Sequence, residues 1–258
     1  MNFQLLFLVF VRVLAMIEVA PVLSSDAIPQ EAKIGLGLFV SAMALPYVVE
    51  IGYRLPENTV QYFLLVIGEA LIGIIIGFML VMIFAVFQMA GEFFSVQMGF
   101  GASEVFDPLA QIEIPLMGQF FNIAAMFVFL SMGGFHKFML VGVYRSFASV
   151  RAGDLVGGRE VLLDLFSRGL GQLFASALTV SLPILGTLLL VSVAMGLLAK
   201  AAPQMNVLVM GFPVAIAVAF LLLLATLPYL LDAFGGLIDA TFEKMLRLFA
   251  DLRGEVTR

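Results

Sequence analysis

The chain has 258 residues, 62% apolar and only 12% charged, with a mean hydropathy of +1.13 and a formal net charge of −5. A soluble domain carries about a quarter charged residues, so this composition excludes an ordinary water-soluble globule. No basic block points to nucleic acid, and the lack of cysteine excludes disulfides and thiolate chemistry.

Six apolar stretches follow one another, at 3–23, 34–51, 62–89, 114–135, 170–198 and 207–231. As helices, all reach across about 30 Å of hydrocarbon, the second only just. The period-2 alternation of a barrel strand is absent, so the expected class is all-α and membrane-embedded, with broken helices. Arg12 and Glu18 interrupt the first stretch, no basic region precedes it, and Ser24-Ser25-Asp26 makes a poor cleavage site. A retained span is therefore expected rather than a signal peptide.

The third stretch opens with Gly68-Glu69 and contains Gly73 and Gly77, a spacing that lets helix backbones approach closely. Arg12, Glu18 and Glu69 are the charges that fall within apolar runs; such groups need a partner or a polar interior. For Arg12 a partner subunit serves as well as this chain. The connection from Gly91 onward is too apolar for a surface loop and too broken for a span. It carries Gly99, Phe100 and Gly101, then Phe106, Asp107 and Pro108, with Met117 in the next run. Two readings stay open: a re-entrant or interfacial loop, or a pliable apolar segment that closes a pore by packing and dewetting.

Residues 133–168 are the most soluble-like part. His136, the only histidine, has no second ligand at metal-binding spacing, while 155–166 has the pattern of a short amphipathic helix at the membrane face. Pro183 and Gly186 predict a bend or break in the fifth stretch. Pro203, Gln204 and Asn206 form a polar turn before the sixth, whose end is punctuated by Pro228, Asp232, Gly235-Gly236 and Asp239. An amphipathic segment at 241–252 is expected to run along the membrane face. Lys137, Arg145, Arg151, Arg159 and Arg168, with Lys244, Arg247, Arg253 and Arg258, carry most of the positive charge, which the positive-inside rule assigns to the cytoplasmic side. Lys200 falls opposite. No set of groups suits general acid–base, nucleophilic, phosphate-binding or metal chemistry, so neither an enzyme nor a cofactor is expected.

Ile67-Gly68-Glu69 with Gly73 and Gly77, Gln88-Met89-Ala90-Gly91-Glu92 running to Gln97-Met98-Gly99-Phe100, Phe106-Asp107-Pro108, Gly133-Gly134-Phe135-His136, and Ala202-Pro203-Gln204-Met205-Asn206 followed by Gly211-Phe212-Pro213 occur in order. In this the chain resembles, over essentially its whole length, the FliR family of the flagellar type III export apparatus, which is homologous to the SctT-type component of injectisomes. The resemblance implies an export gate in the bacterial inner membrane, at the flagellar basal body, through which unfolded flagellar subunits pass. It implies several copies of FliP and FliQ as neighbours, an FlhB-like protein around the base, and an FlhA-like export ring. It also implies a FliP-like part over 1–150 joined to a FliQ-like hairpin and amphipathic tail over 151–258. A plug loop would lie at about 100–120, bringing in Gly99, Phe100, Gly101, Phe106, Asp107, Pro108 and Met117. The hairpin tip at Pro203, Gln204 and Asn206 would sit near the gate entrance, against the FlhB-like chain. A non-conducting scaffold for FliP and FliQ, or an independent secondary transporter with broken helices, are the alternatives.

Overall fold

Gly, Pro and charged residues set where the apolar runs stop, and in the computed structural model every regular element among the described residues (2–53, 55–99, 116–204 and 206–253) is helical. Of the plug-loop residues, Phe100, Gly101, Phe106, Asp107 and Pro108 lie outside this set. The helices are α1 (Asn2–Val19), α2 (Gln30–Glu50), α3 (Thr59–Met98), α4 (Leu116–Ser131), α5 (Gly134–Ser149), α6 (Asp154–Gly157), α7 (Arg159–Ala201) and α8 (Val207–Arg253). Within α5 the turns at Leu140–Arg145 are π-helical.

Four helices, α2, α3, α7 and α8, are by themselves long and apolar enough to cross a membrane, and a fifth span arises if α4 and α5 count as one. That pair is bent by 76°, the turn passing through Gly133 at φ 66, so the 114–135 run is one arm of a broken element. The count therefore differs from six. At 18 residues, or about 27 Å, α1 is short for a crossing, and its residues Leu8, Val9, Arg12, Val13, Met16 and Ile17 are buried in protein.

Two compact units divide the chain. The first comprises Met1–Ile83, Phe129–Leu170 and Leu237–Arg258; the second comprises Phe84–Val128 and Gly171–Gly236. In the first, α1 packs on α2 through a stripe of Lys33, Gly37, Ser41, Ala44 and Val48. It also packs on α3, whose Gly73 and Gly77 admit it: a Cβ at Gly73 would come 2.3 Å from the Arg12 carbonyl oxygen, and one at Gly77 would come 2.8 Å from Val19 Cβ. The 241–252 segment turns its apolar side onto protein. Its apolar stripe of Phe242, Met245, Leu248, Phe249 and Leu252 is buried in this unit, and Leu252 packs on Gly158.

In the second unit the core is aromatic. The Phe87 and Phe234 rings lie 4.2 Å apart, those of Phe94 and Phe121 5.0 Å apart, and Phe121 meets Phe234 edge-on at 5.8 Å. Proline and glycine do not stop the long helices: α7 runs 43 residues through Pro183, and α8 runs 47 residues through Pro213, Pro228 and Gly235-Gly236. Hydroxyls help along α7, since Thr179, Ser181 and Thr187 donate to the carbonyls of Ala175, Ala177 and Pro183 at 2.7, 2.8 and 2.9 Å. Only 11% and 17% of the most apolar windows of α7 and α8 are buried, against 56% for α3. The third helix is therefore a core element, while α7 and α8 present most of their apolar surface outward.

Candidate functional site

Two places gather the residues that the sequence singles out, one in each unit. In the first unit Arg12 on α1 and Glu69 on α3, 57 positions apart in sequence, form a fully buried ion pair with Nε 2.5 Å from Oε2. The arginine's remaining reach is used within the same unit. Its Nη1 donates to Ser146 Oγ at 2.9 Å, its Nη2 to the Val150 carbonyl at 3.1 Å, and its Cζ lies 3.7 Å from the centre of the Phe147 ring. The Tyr53 hydroxyl donates to the other Glu69 oxygen. Burial, and then the negative charge of Glu69, push the Tyr53 phenol well above its ordinary value, so it remains a donor. A guanidinium offers five fixed donors, and three distinct partners plus an aromatic face satisfy most of what burial would leave unmet.

Local sequence explains why this cluster assembles. Gly68 precedes Glu69 and leaves room for Ala152, whose Cβ would be 2.4 Å from any Cβ at that position. Gly142, in the π turns of α5, is held against Met16, with the sulfur 2.5 Å from where a Cβ would stand. Ser146 follows those turns and donates back to the Gly142 carbonyl at 2.5 Å. Glu18 lies in a separate group: it accepts from Gln30 at 2.6 Å, and Lys33 stands 3.6 Å away while donating to the Ser24 carbonyl at 3.1 Å.

In the second unit the chain on either side of residues 100–115 is tightly placed. Gly99 has φ +82, and a Cβ there would come 2.2 Å from the Phe212 ring, so both backbone and space demand glycine. Gly91 on α3 meets α4 backbone, its notional Cβ 2.3 Å from the Met117 carbonyl oxygen. Met98 and Met117 line the same apolar pocket, together with Phe94, Ile184, Ala219 and Leu223. The sixteen residues 100–115 thus leave and rejoin the described structure at one place. At the far end of α7, Pro203 and Gln204 are exposed in the turn, and Asn206 caps α8 by accepting from Val209 N–H at 3.3 Å through its side chain.

Arg12 and Glu69 are brought together, and Glu18 is not part of that cluster. Gly68, Gly73 and Gly77 all stand at close approaches; Gly99 and Met117 flank one pocket. Sequence reasoning passed over Tyr53, Ser146, Phe147 and the 150–152 backbone, because a lone Tyr or Ser carries no signal until the charge it serves is located. A usable signal did exist for the pair: two intramembrane charges of opposite sign call for each other.

Bacterial export proteins, family 1, is the family whose pattern fits residues 3–241 of this chain. The chain belongs to that family. Within it, it is similar to the flagellar biosynthetic protein FliR of Bacillus subtilis (30% identical, covering 96% of this chain and 95% of the relative). It is also similar to that of Pectobacterium carotovorum (33%, covering 94% and 90%) and that of Escherichia coli (29%, covering 98% and 94%). The aligned regions take in both places described above, so this FliR-type chain owes its likeness to no single motif.

Proposed function

We propose that this chain is a component of the flagellar export gate of the bacterial inner membrane, and that residues 100–115 with their flanks help close the conduit through which unfolded flagellar subunits pass. The observation that carries this reading is the shared seat of Met98 and Met117. Both ends of the sixteen-residue connection are thereby rooted at one spot, in helices packed independently of it. Soft methionine and aromatic surface suits a seal that must re-form after each passage and bind no cargo sequence strongly. The family to which the chain belongs, and the FliR name of its relatives, support the export setting. Several FliP- and FliQ-type neighbours would cover the outward apolar faces of α7 and α8, with an FlhB-like chain at the hairpin tip and an FlhA-like ring beyond it.

Shortening the connection by a few residues between Gly99 and Phe106 should raise ion or small-molecule leakage through the assembled gate. Conductance equal to that of the unaltered gate would remove the closing role and leave the second reading, a scaffold that nucleates FliP- and FliQ-type assembly. That reading draws on the same outward apolar faces.

A further inference from the structure

Between α5 and α6 the chain crosses from one helix to the next in a short strap, 150–153, lying against α1 and α3. Much of what holds it is polar. The Val150 carbonyl accepts from Arg12 Nη2 at 3.1 Å, the Val150 N–H donates to the Ser146 carbonyl at 2.8 Å, and the Arg151 N–H donates to Asp154 Oδ2 at 2.8 Å. The apolar share is the buried Val150 side chain and the seat of Ala152 on Gly68. Arg151 and Gly153 are exposed. By contrast, α1 and α3 hold each other without the cluster, through Gly73, Gly77 and the buried Leu8, Val13, Ile17, Ile72 and Ile76.

Upstream of the strap stand the π turns of α5, a rare departure from the α-helix that is found frequently at functional sites. Ser146 joins these turns to the cluster, accepting from Arg12 and donating to Gly142. A buried ion pair is a poor choice if permanence is the only aim, because well-packed apolar residues of equal volume hold at least as firmly. Directional hydrogen bonds to a segment beside the protein surface have another property: water can replace them when the segment lifts.

We propose that the Arg12–Glu69–Tyr53 cluster is a latch that docks the 150–153 strap, with the π turns at Leu140–Arg145 as its hinge, so that the strap lifts and returns while α1 and α3 stay packed. The inference rests on none of the gating argument. The latch controls the freedom of the backbone around Arg151 and of the chain leading into α7.

The test is hydrogen–deuterium exchange, with limited trypsin cleavage after Arg151, on the full chain in lipid nanodiscs. Tyr53→Phe removes the donor to Glu69, loosening the cluster whose Arg12 holds the Val150 carbonyl, but keeps the ring edge-on to Phe147. Ser146→Ala cuts the link to the hinge. Both variants should speed exchange over 150–153 and cleavage at Arg151 by about tenfold or more, with the amides of α1 and α3 exchanging as before. Unchanged exchange at the strap would overturn the latch, and so would equal acceleration throughout α1 and α3, which marks a merely structural role.

Discussion

Arg12 shows what a single charge demands inside so apolar a chain. Removing one member of a buried pair strands the other, at a cost of about 3–5 kcal/mol, whereas replacing both by apolar residues of similar volume is often nearly neutral. Arg12→Ala and Glu69→Ala should therefore each lower the melting temperature in detergent sharply, and the double change to Met at both positions should recover most of the loss. A double variant as unstable as the worse single one would show that the pair itself supplies the stability. Tyr53 adds a pH dependence. Its folded pKa lies above the ordinary value of 10.0, so its contribution is whole below that pH. It is lost as the pH climbs, because the unfolded phenol gives up its proton first. The melting temperature of the unaltered chain should fall toward that of Tyr53→Phe above about pH 10, and a constant gap between them would exclude a raised phenol pKa. Both charges were legible in the sequence as intramembrane oddities of opposite sign; that Arg12 meets Glu69 of its own chain, 57 positions away, rather than a partner subunit was not, because sequence spacing does not show which distant segments fold together.

At the scale of helices, the same residue type does opposite things. A Cβ at Gly73 runs into the Arg12 carbonyl, while one at Gly186 on α7 meets nothing within 4 Å. Gly73→Ala should thus loosen α1 from α3 and lower stability, while Gly186→Ala should raise it by about 0.5–1 kcal/mol, the usual gain for filling a helix interior position. Thermal melting of the two variants side by side checks the contrast, and a stabilised Gly73→Ala would refute the close approach. The Gly73 and Gly77 spacing announced tight packing from sequence, though not that α1 was the partner. Pro183 and Gly235-Gly236 read as breaks because local propensity disfavours them in helices. Yet α7 and α8 run on, since a helix in an apolar medium gains more from closed backbone hydrogen bonds than it loses at one proline. The 241–252 pattern was read correctly as amphipathic. Its apolar stripe meets protein, not lipid, because periodicity reveals a face and never what covers it.

For the molecule as a whole, the notable imbalance lies between α3, buried over most of its apolar window, and α7 with α8, which bury little of theirs. Fold class was legible from composition together with the length of the apolar stretches and their lack of period-2 alternation. The segment proposed to close the gate stands out in the sequence for its glycine and phenylalanine; its residues 100, 101 and 106–108 fall outside the described structure, whereas its flanks Gly99 and Met117 lie within it. One further consequence belongs to length. At 43 and 47 residues, α7 and α8 measure about 65 and 70 Å along their contours, more than twice the hydrocarbon thickness. The arginine-bearing roots of these helices and the Gln204 turn therefore cannot both lie at one lipid surface if each helix crosses once. Positive-inside reasoning puts the roots in the cytoplasm, while the function proposed above puts the turn near the gate entrance. A lone thiol at Gln204, in a chain with no native cysteine, decides between them. Labelling by an impermeant maleimide from the periplasm means the turn stands on the side opposite the roots; protection there with reactivity in inverted vesicles means the arginine rule yields to the assembly.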